Sequence, residues 1–339
     1  MMKHSSLKLP PSYQPLLDVI DTQQAIKEIK DTFEKGLAEL LNLTRVSAPI
    51  LVQAGTGIND DLNGVERPVA FPVAAMPGRP MEIVQSLAKW KRLALGRYGF
   101  PQDTGLYTDM NALRPDEALD NLHSVYVDQW DWERVLKNGD RTPETLKSHV
   151  RRIYQVFREV EGYVHSRYPF IERTLPAEIS FVTSQELEDI YPHLTPAQRE
   201  DAITEEKGAV FVMQIGHQLK SGVKHDGRAP DYDDWRLNGD ILFWYPLLGQ
   251  AFEMSSMGIR VDAATLKEQL EIAGCPDRES LPFHRMLLGG ELPQTIGGGI
   301  GQSRICMFFL KKAHIGEVQV GVWPNEMVQA CTKANIHLL

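Results

Sequence analysis

Gln294-Thr295-Ile296-Gly297-Gly298-Gly299-Ile300-Gly301-Gln302-Ser303-Arg304 is the most informative segment of this chain. Residues without a Cβ let a backbone approach a neighbour closely. After them Ile305, Met307, Phe308 and Leu310 form an apolar run of good helix formers. The pattern predicts a strand entering a helix, with Arg304 in the first helical turn, where anions are favoured. No Gly-Lys-Ser/Thr follows, which excludes a P-loop, and no βαβ unit with a later acidic residue surrounds the run, which excludes a dinucleotide fingerprint. Alone it fits either a backbone approached by a nucleotide or plain tight packing.

A second segment narrows the choice. Leu113-Arg114-Pro115-Asp116-Glu117 leads to His123-Ser124-Val125-Tyr126-Val127-Asp128-Gln129-Trp130-Asp131-Trp132-Glu133, which alternates like a strand. Val125, Val127, Gln129 and Asp131 share one face and Trp130 and Trp132 the other. The tryptophans imply that both faces are covered, so a Gln and an Asp on the inner side call for a ligand.

The chain has 339 residues and a formal net charge of −9, which disfavours a broad electropositive surface for nucleic acid. Lys89-Trp90-Lys91-Arg92 is a local basic cluster, a pattern that more often marks a solvated helix face. Ile241-Leu242-Phe243-Trp244 and Cys306 to Leu310 are far shorter than the ~20 apolar residues of a membrane-spanning helix. No signal peptide is visible, and residues 1–21 read as a loose leader before a single catalytic domain over 22–339. Cys275, Cys306 and Cys331 share no metal-like spacing, so the cytosol is the expected compartment.

Ile26, Ile29, Phe33, Leu37 and Leu40 recur at helical spacing within Thr22 to Leu43, and Leu146, Val150, Ile153, Phe157 and Val160 do so within Glu144 to Val164. Thr44 to Leu51 reads as a strand interrupted by Pro49, and Gly55 to Gly64 as a turn-rich loop. Further strands are expected at Ala209 to Ile215, Ile241 to Tyr245, Met254 to Val261 and Glu317 to Trp323. Helices and strands do not alternate regularly, so the fold class is α+β, an antiparallel or mixed sheet flanked by helices.

Together these pieces resemble the class II aminoacyl-tRNA synthetase catalytic fold, and within that superfamily the ammonia-dependent asparagine synthetases. Ile26 to Leu41 with the strand ending at Pro49 is similar to motif 1, the dimer-building element. Arg114 to Glu117 with His123 to Glu133 is similar to motif 2, and Gly297 to Arg304 to motif 3. The family-level match runs through Ser86 to Arg92, Ala229 to Trp235, Leu237 to Asp240 and Phe252 to Asp262. Two departures stand out. Only Arg236 separates Trp235 from Leu237, where some members carry a longer loop, and Thr56 replaces an expected acidic residue near Asp60.

The resemblance implies a homodimer that uses L-aspartate, ammonia and ATP with Mg²⁺, forming β-aspartyl-AMP and pyrophosphate before ammonia displaces AMP. It implies Arg114 on the α-phosphate and Arg304 on the γ-phosphate, both suited by a planar, permanently charged fork. Ser255 and Gly299 complete the ATP site, and Asp240 and Glu253 form the Mg²⁺ pair. Gln129 and Asp131 accept the substrate ammonium, Lys91 and Arg260 clamp its α-carboxylate, and Ser86 and Asp233 complete the pocket. Asp60 lies where ammonia arrives. Residue by residue, a turn role for Asp240 or a helix cap for Ser86 fits the local sequence as well. His123, His217 and His225 have no assignable partner. The competing readings are an aspartyl- or asparaginyl-tRNA synthetase, for which the segment before Leu43 offers no room for an OB-fold, and a catalytically silent paralogue, which loss of Arg114 or Arg304 would have signalled.

Overall fold

A computed structural model describes residues 7–60, 62 and 66–339. In chain order the elements are α1 (Val19–Leu41), β1 (Leu43–Arg45), β2 (Leu51–Gln53), β3 (Ala70–Phe71), β4 (Met81–Ile83), α2 (Ala88–Tyr98), β5 (Gly105–Leu113), β6 (Tyr126–Val135), α3 (Pro143–Arg167), β7 (Ser180–Thr183), α4 (Ser184–Ile190), α5 (Pro196–Lys207), β8 (Ala209–Met213), β9 (Asp233–Tyr245), β10 (Gln250–Arg260), α6 (Ala263–Ile272), α7 (Pro282–Leu288), β11 (Thr295–Gly301), α8 (Gln302–Phe309) and α9 (Asn325–Lys333). One 8-stranded sheet runs β1-β5-β6-β11-β10-β9-β8-β7, and a 3-stranded sheet runs β2-β4-β3. In the large sheet only the outer pairs, β1 with β5 and β7 with β8, are parallel. This is the α+β arrangement expected from the irregular alternation of elements.

Helix α1 forms because Ala25, Ile29, Phe33, Leu37 and Leu41 make one buried stripe. Asp18 caps its start by accepting the Asp21 N–H at 2.8 Å, and Asn42, at φ 56, ends it in the left-handed region. Phe33 stacks on Trp130 of β6 with centroids 5.0 Å apart and meets Phe157 of α3 at 4.9 Å. Phe157 in turn stands edge-on to Phe243 of β9. Helices α1 and α3 therefore cover one face of the sheet. Period-2 alternation then turns Gln129, Asp131 and Glu133 toward the opposite face. Truncating a fully buried phenylalanine such as Phe33 typically costs about 3–5 kcal/mol.

Four expectations change. Glu317 to Trp323 is not a strand; Ile315–Glu317 is a 3-10 turn. The Glu317 carboxylate accepts the Ala313 and His314 N–H groups at 2.8 and 3.0 Å, which fastens it to its own turn, and Val320 and Val322 face outward. The residues before α1 are not loose where described, because Tyr13 and Leu17 are buried and the Tyr13 hydroxyl donates to Glu317 at 2.9 Å. The helix also starts at Val19 rather than Thr22. Lys89, Lys91 and Arg92 of α2 are buried rather than solvated, each held by partners distant in sequence. Met1 to Ser6, and Asp61, Asn63 and Gly64 of the turn-rich loop, lie outside the described residues.

Candidate active site

The glycine run lies within strand β11, not in a turn, and its register explains why Cβ atoms are missing. Gly297 pairs with Glu133 and Gly299 with Asp131 across β6. A Cβ at Gly297 would overlap the Glu133 carboxylate, and one at Gly299 the Gln129 amide. The glycines thus make room for side chains of the neighbouring strand. As expected, α8 follows directly and Arg304 stands in its first turn. The anion at that helix start is internal: the Asp128 carboxylate accepts the Ser303 N–H at 3.0 Å and its hydroxyl at 2.8 Å.

Glu133 is the hub of a buried ionic lattice. Arg260 donates to it through Nε at 2.9 Å and Nη2 at 2.6 Å, and pairs through Nη1 with Asp233. The Thr295 hydroxyl donates to Glu133 at 2.6 Å. Lys91 pairs with Asp131, donates to the Gly298 carbonyl at 2.9 Å and lies 3.9 Å from Glu133. Burial raises the Glu133 carboxyl, but Arg260 and Lys91 outweigh it and hold it below its ordinary range. Burial pushes Lys91 down against the pull of Asp131 and Glu133, and pushes Asp233 up against Arg260. Three carboxylates, Asp131, Glu133 and Asp233, face two cations, Lys91 and Arg260, a net of −1. Asp131 Oδ2 is buried without a hydrogen-bond partner among the described residues, so the lattice has an acceptor left for a cationic group.

A cavity of about 330 Å³ opens over this floor, with Asp60, Ser86, Arg114 and Gln129 in its walls. Ser86 also accepts the Ala88 N–H at 3.1 Å, so it serves the start of α2 as well as the cavity. Asp60 is 2% exposed. Burial pushes its carboxyl up to about 6; Oδ1 accepts the Leu62 N–H at 3.1 Å, and Oδ2 has no hydrogen-bond partner among the described residues. A second cavity of about 180 Å³ is lined by Ser255, Gly301 and Arg304. Arg114, Glu117, Gln129, Glu253 and Gly299 line both. Arg114 therefore stands at the junction, where its Nη2 donates to the Gln85 carbonyl at 3.1 Å.

Asp240 of β9 and Glu253 of β10 lie on adjacent strands beside a register shift. Asp240 is in the strand, not in a turn. Burial raises its carboxyl to about 7, with Glu253 adding to the rise and Arg228 opposing it. Arg228 pairs with one Asp240 oxygen, while Oδ1 is buried without a hydrogen-bond partner among the described residues. Glu253 takes Arg304 on its carbonyl at 3.0 Å and on its carboxylate at 3.4 Å. Among the described residues no group of three or more His, Cys, Asp or Glu side chains assembles a metal site. Two hard oxygen donors with one open atom fit Mg²⁺, which takes one or two protein carboxylates and fills its shell with water and phosphate.

Glu133 as the hub, Arg228 as a buried cation beside Asp240, and the cluster of Lys89, Asp231 and His284 are not evident from sequence alone. The histidines without an assignable partner in the sequence find one in the fold: His123 pairs with Asp120 and His225 with Glu200, while His217 stands edge-on to Trp235. A Glu following Gln129 and Asp131 at period 2 was the available signal for Glu133.

The family model described as aspartate-ammonia ligase matches residues 20–335. The chain belongs to the aspartate-ammonia ligase family. It is 61% identical to the aspartate-ammonia ligase of Clostridium perfringens strain SM101 over 333 residues, covering 98% of this chain and 99% of that one. Against the Ruminiclostridium cellulolyticum ligase it is 61% identical over 335 residues, covering 99% and 100%. Among solved structures, the asparaginyl-tRNA synthetase of Pyrococcus horikoshii complexed with asparaginyl-adenylate overlays with a TM-score of 0.67 at 16% identity, covering 90% of this chain and 70% of that one. The Entamoeba histolytica asparaginyl-tRNA synthetase in complex with asparaginyl-adenylate gives 0.64 at 14% identity, with 89% and 66% covered. At that identity the likeness concerns the fold, and it is the class II synthetase fold expected from the three motifs. As an aspartate-ammonia ligase, the enzyme joins ammonia to aspartate to make asparagine.

Proposed function

We propose that this ligase activates aspartate with ATP as β-aspartyl-AMP, releases pyrophosphate, and lets ammonia displace AMP. The observation that carries the reading is Arg114 at the junction of two adjoining polar cavities. An adenylate needs a reacting carboxylate and an α-phosphate brought together, and a guanidinium there stabilises charge that builds at the phosphorus. The substrate ammonium fits the net negative lattice, on Gln129 and the open oxygen of Asp131. Lys91 and Arg260 hold the α-carboxylate, with Ser86 and Asp233 completing the pocket. That orientation leaves the side-chain carboxylate as the group presented to Arg114.

On the nucleotide side, Ser255, Gly299 and Glu253 line the ATP site and Arg304 holds the γ-phosphate. Asp240 and Glu253 would hold Mg²⁺, which neutralises phosphate charge when bound. Asp60 attracts ammonium or takes up the proton that the attacking nitrogen sheds; a carboxyl raised to about 6 is a competent acceptor near neutral pH. The enzyme works in the cytosol as a homodimer paired through α1 and the strand segments after it, without nucleic acid. Among the described residues no helix is long and apolar enough to cross a membrane. The deciding experiment combines enzyme, ATP, Mg²⁺, aspartate and ammonium and identifies both products. Asparagine with AMP supports the adenylate; asparagine with ADP eliminates it in favour of an acyl phosphate.

A further inference from the structure

We propose that a small cavity behind the Asp60 loop is the entrance for ammonia, which it receives as the neutral molecule on the open oxygen of Asp231. The inference rests on the adenylate reading and concerns how the second substrate reaches the intermediate.

The two cavities lie back to back across the same chain segments. Asp60, Ala88, Ala229 and Tyr232 line the front cavity. Their neighbours Asn59, Lys89 and Asp231 line the rear one, of about 150 Å³, together with His284 and Leu281. Adjacent residues of the same segments thus face opposite cavities. Asn59 braces it by accepting the N–H groups of Asp60 at 3.0 Å and Gln85 at 2.9 Å, and its amide donates to the Ile83 carbonyl at 3.2 Å. In the working cycle the front is blocked, because aspartate and the nucleotide together occupy both front cavities while ammonia must still arrive. A route from behind reaches the Asp60 side of the intermediate without displacing AMP first.

The rear cavity is chemically prepared for a small hydrogen-bond donor. Asp231 is 1% exposed, and its Oδ2 takes three partners: Lys89 at 3.0 Å, His284 Nε2 at 3.0 Å and Arg278 at 3.5 Å. Its Oδ1 is buried without a hydrogen-bond partner among the described residues, as is His284 Nδ1. A buried acceptor left open invites a ligand. Lys89 and Arg278 in this cavity face two carboxylates, Asp231 and Glu82, so no net negative charge is left there to hold a further cation and the site favours ammonia over ammonium. Ammonium then gives up its proton to water at the mouth. At the reacting centre the nitrogen lone pair forms the bond to the β-carboxyl carbon. The bond from that carbon to the phosphate oxygen breaks with its electron pair leaving on AMP, and one N–H proton passes to the Asp60 carboxylate.

Leu281 is the residue through which to test this, since it is half-buried at the rear wall against Gly57 and touches neither front cavity. Leu281→Trp fills the cavity. The expected result is an ammonium concentration for half-maximal asparagine formation at least tenfold higher, with aspartate-dependent exchange of pyrophosphate into ATP within twofold of wild type. Leu281→Ala enlarges the cavity, and its use of methylamine relative to ammonium, read as N-methylasparagine by mass spectrometry, should rise at least fivefold. The Ala variant keeps the idea testable if the Trp variant does not fold. Unchanged ammonium dependence in the Trp variant, or an unchanged amine preference in the Ala variant, with exchange intact, overturns the entrance alone. Absence of exchange in the wild-type enzyme overturns the adenylate reading and the entrance with it.

Discussion

Replacing Asp60 by Asn should make the protein more stable and the enzyme inactive, and both effects follow from one buried carboxylate. Burial raises the folded-state value from 3.8 to about 6. Below 3.8 the group is protonated folded or unfolded and costs nothing. As pH rises through about 6 the folded state must hold a buried charge that the unfolded chain hydrates freely, so stability is lost with rising pH. A difference of about 2 pH units at about 1.4 kcal/mol each is roughly 3 kcal/mol at full ionisation. With an unfolding entropy of about 2.1 cal/mol/K per residue over 339 residues, that corresponds to about 4 °C in melting temperature.

Asn keeps the hydrogen bond to the Leu62 N–H and the size of the side chain while removing the charge. Melting curves at pH 8 should therefore place Asp60→Asn about 4 °C above wild type, and at pH 5 about half of that gain should remain. If Asp60 acts at the ammonia step and not in adenylate formation, as proposed, the same variant should carry out aspartate-dependent exchange of pyrophosphate into ATP yet yield little asparagine. A gain that is equal at both pH values, or absent at pH 8, refutes the buried charge. Asparagine formation at a rate comparable to wild type, or loss of exchange in parallel, refutes the role.

Arg304→Ala should lower pyrophosphate exchange by roughly a hundredfold, the ~3 kcal/mol expected for one lost transition-state charge contact, with a melting curve near wild type and partial rescue by Lys. Glu133→Gln leaves Arg260 buried against a neutral amide, so it should destabilise by about 3–5 kcal/mol in denaturant titration, well beyond an exposed ion pair. Gly297→Ala forces a methyl group into the Glu133 carboxylate and against the Trp132 carbonyl, which disturbs the same ion pair; we expect an aspartate KM raised at least tenfold together with a stability loss of about 3–5 kcal/mol in the same titration.

Helices α1 and α3 and the alternation of β6 were legible because each depends on a local period: four-residue spacing buries Ile29, Phe33 and Leu37, and two-residue spacing separates Trp130 and Trp132 from Gln129 and Asp131. What a period does not encode is register between distant strands. The absence of Cβ at Gly297 has meaning only once β11 lies beside β6 and Glu133 needs the space. The same holds for charge. Lys89 and Lys91, two positions apart on α2, read as a solvated patch, since charged groups are almost never buried unless paired. Their partners Asp231 and Asp131 lie far along the chain, and until the sheet closes nothing marks the lysines as internal. Glu317 to Trp323 failed in the opposite direction, because valines at alternate positions signal a strand only if an edge is free to pair with them. There the Glu317 carboxylate ties the chain into its own turn. The illegible residues are therefore concentrated where charge is buried, around the cavities proposed to hold aspartate and ammonia. Glu133 shows the physical reason: a charged residue marks such a site by being buried once the sheet closes, not by standing out from its neighbours in the chain.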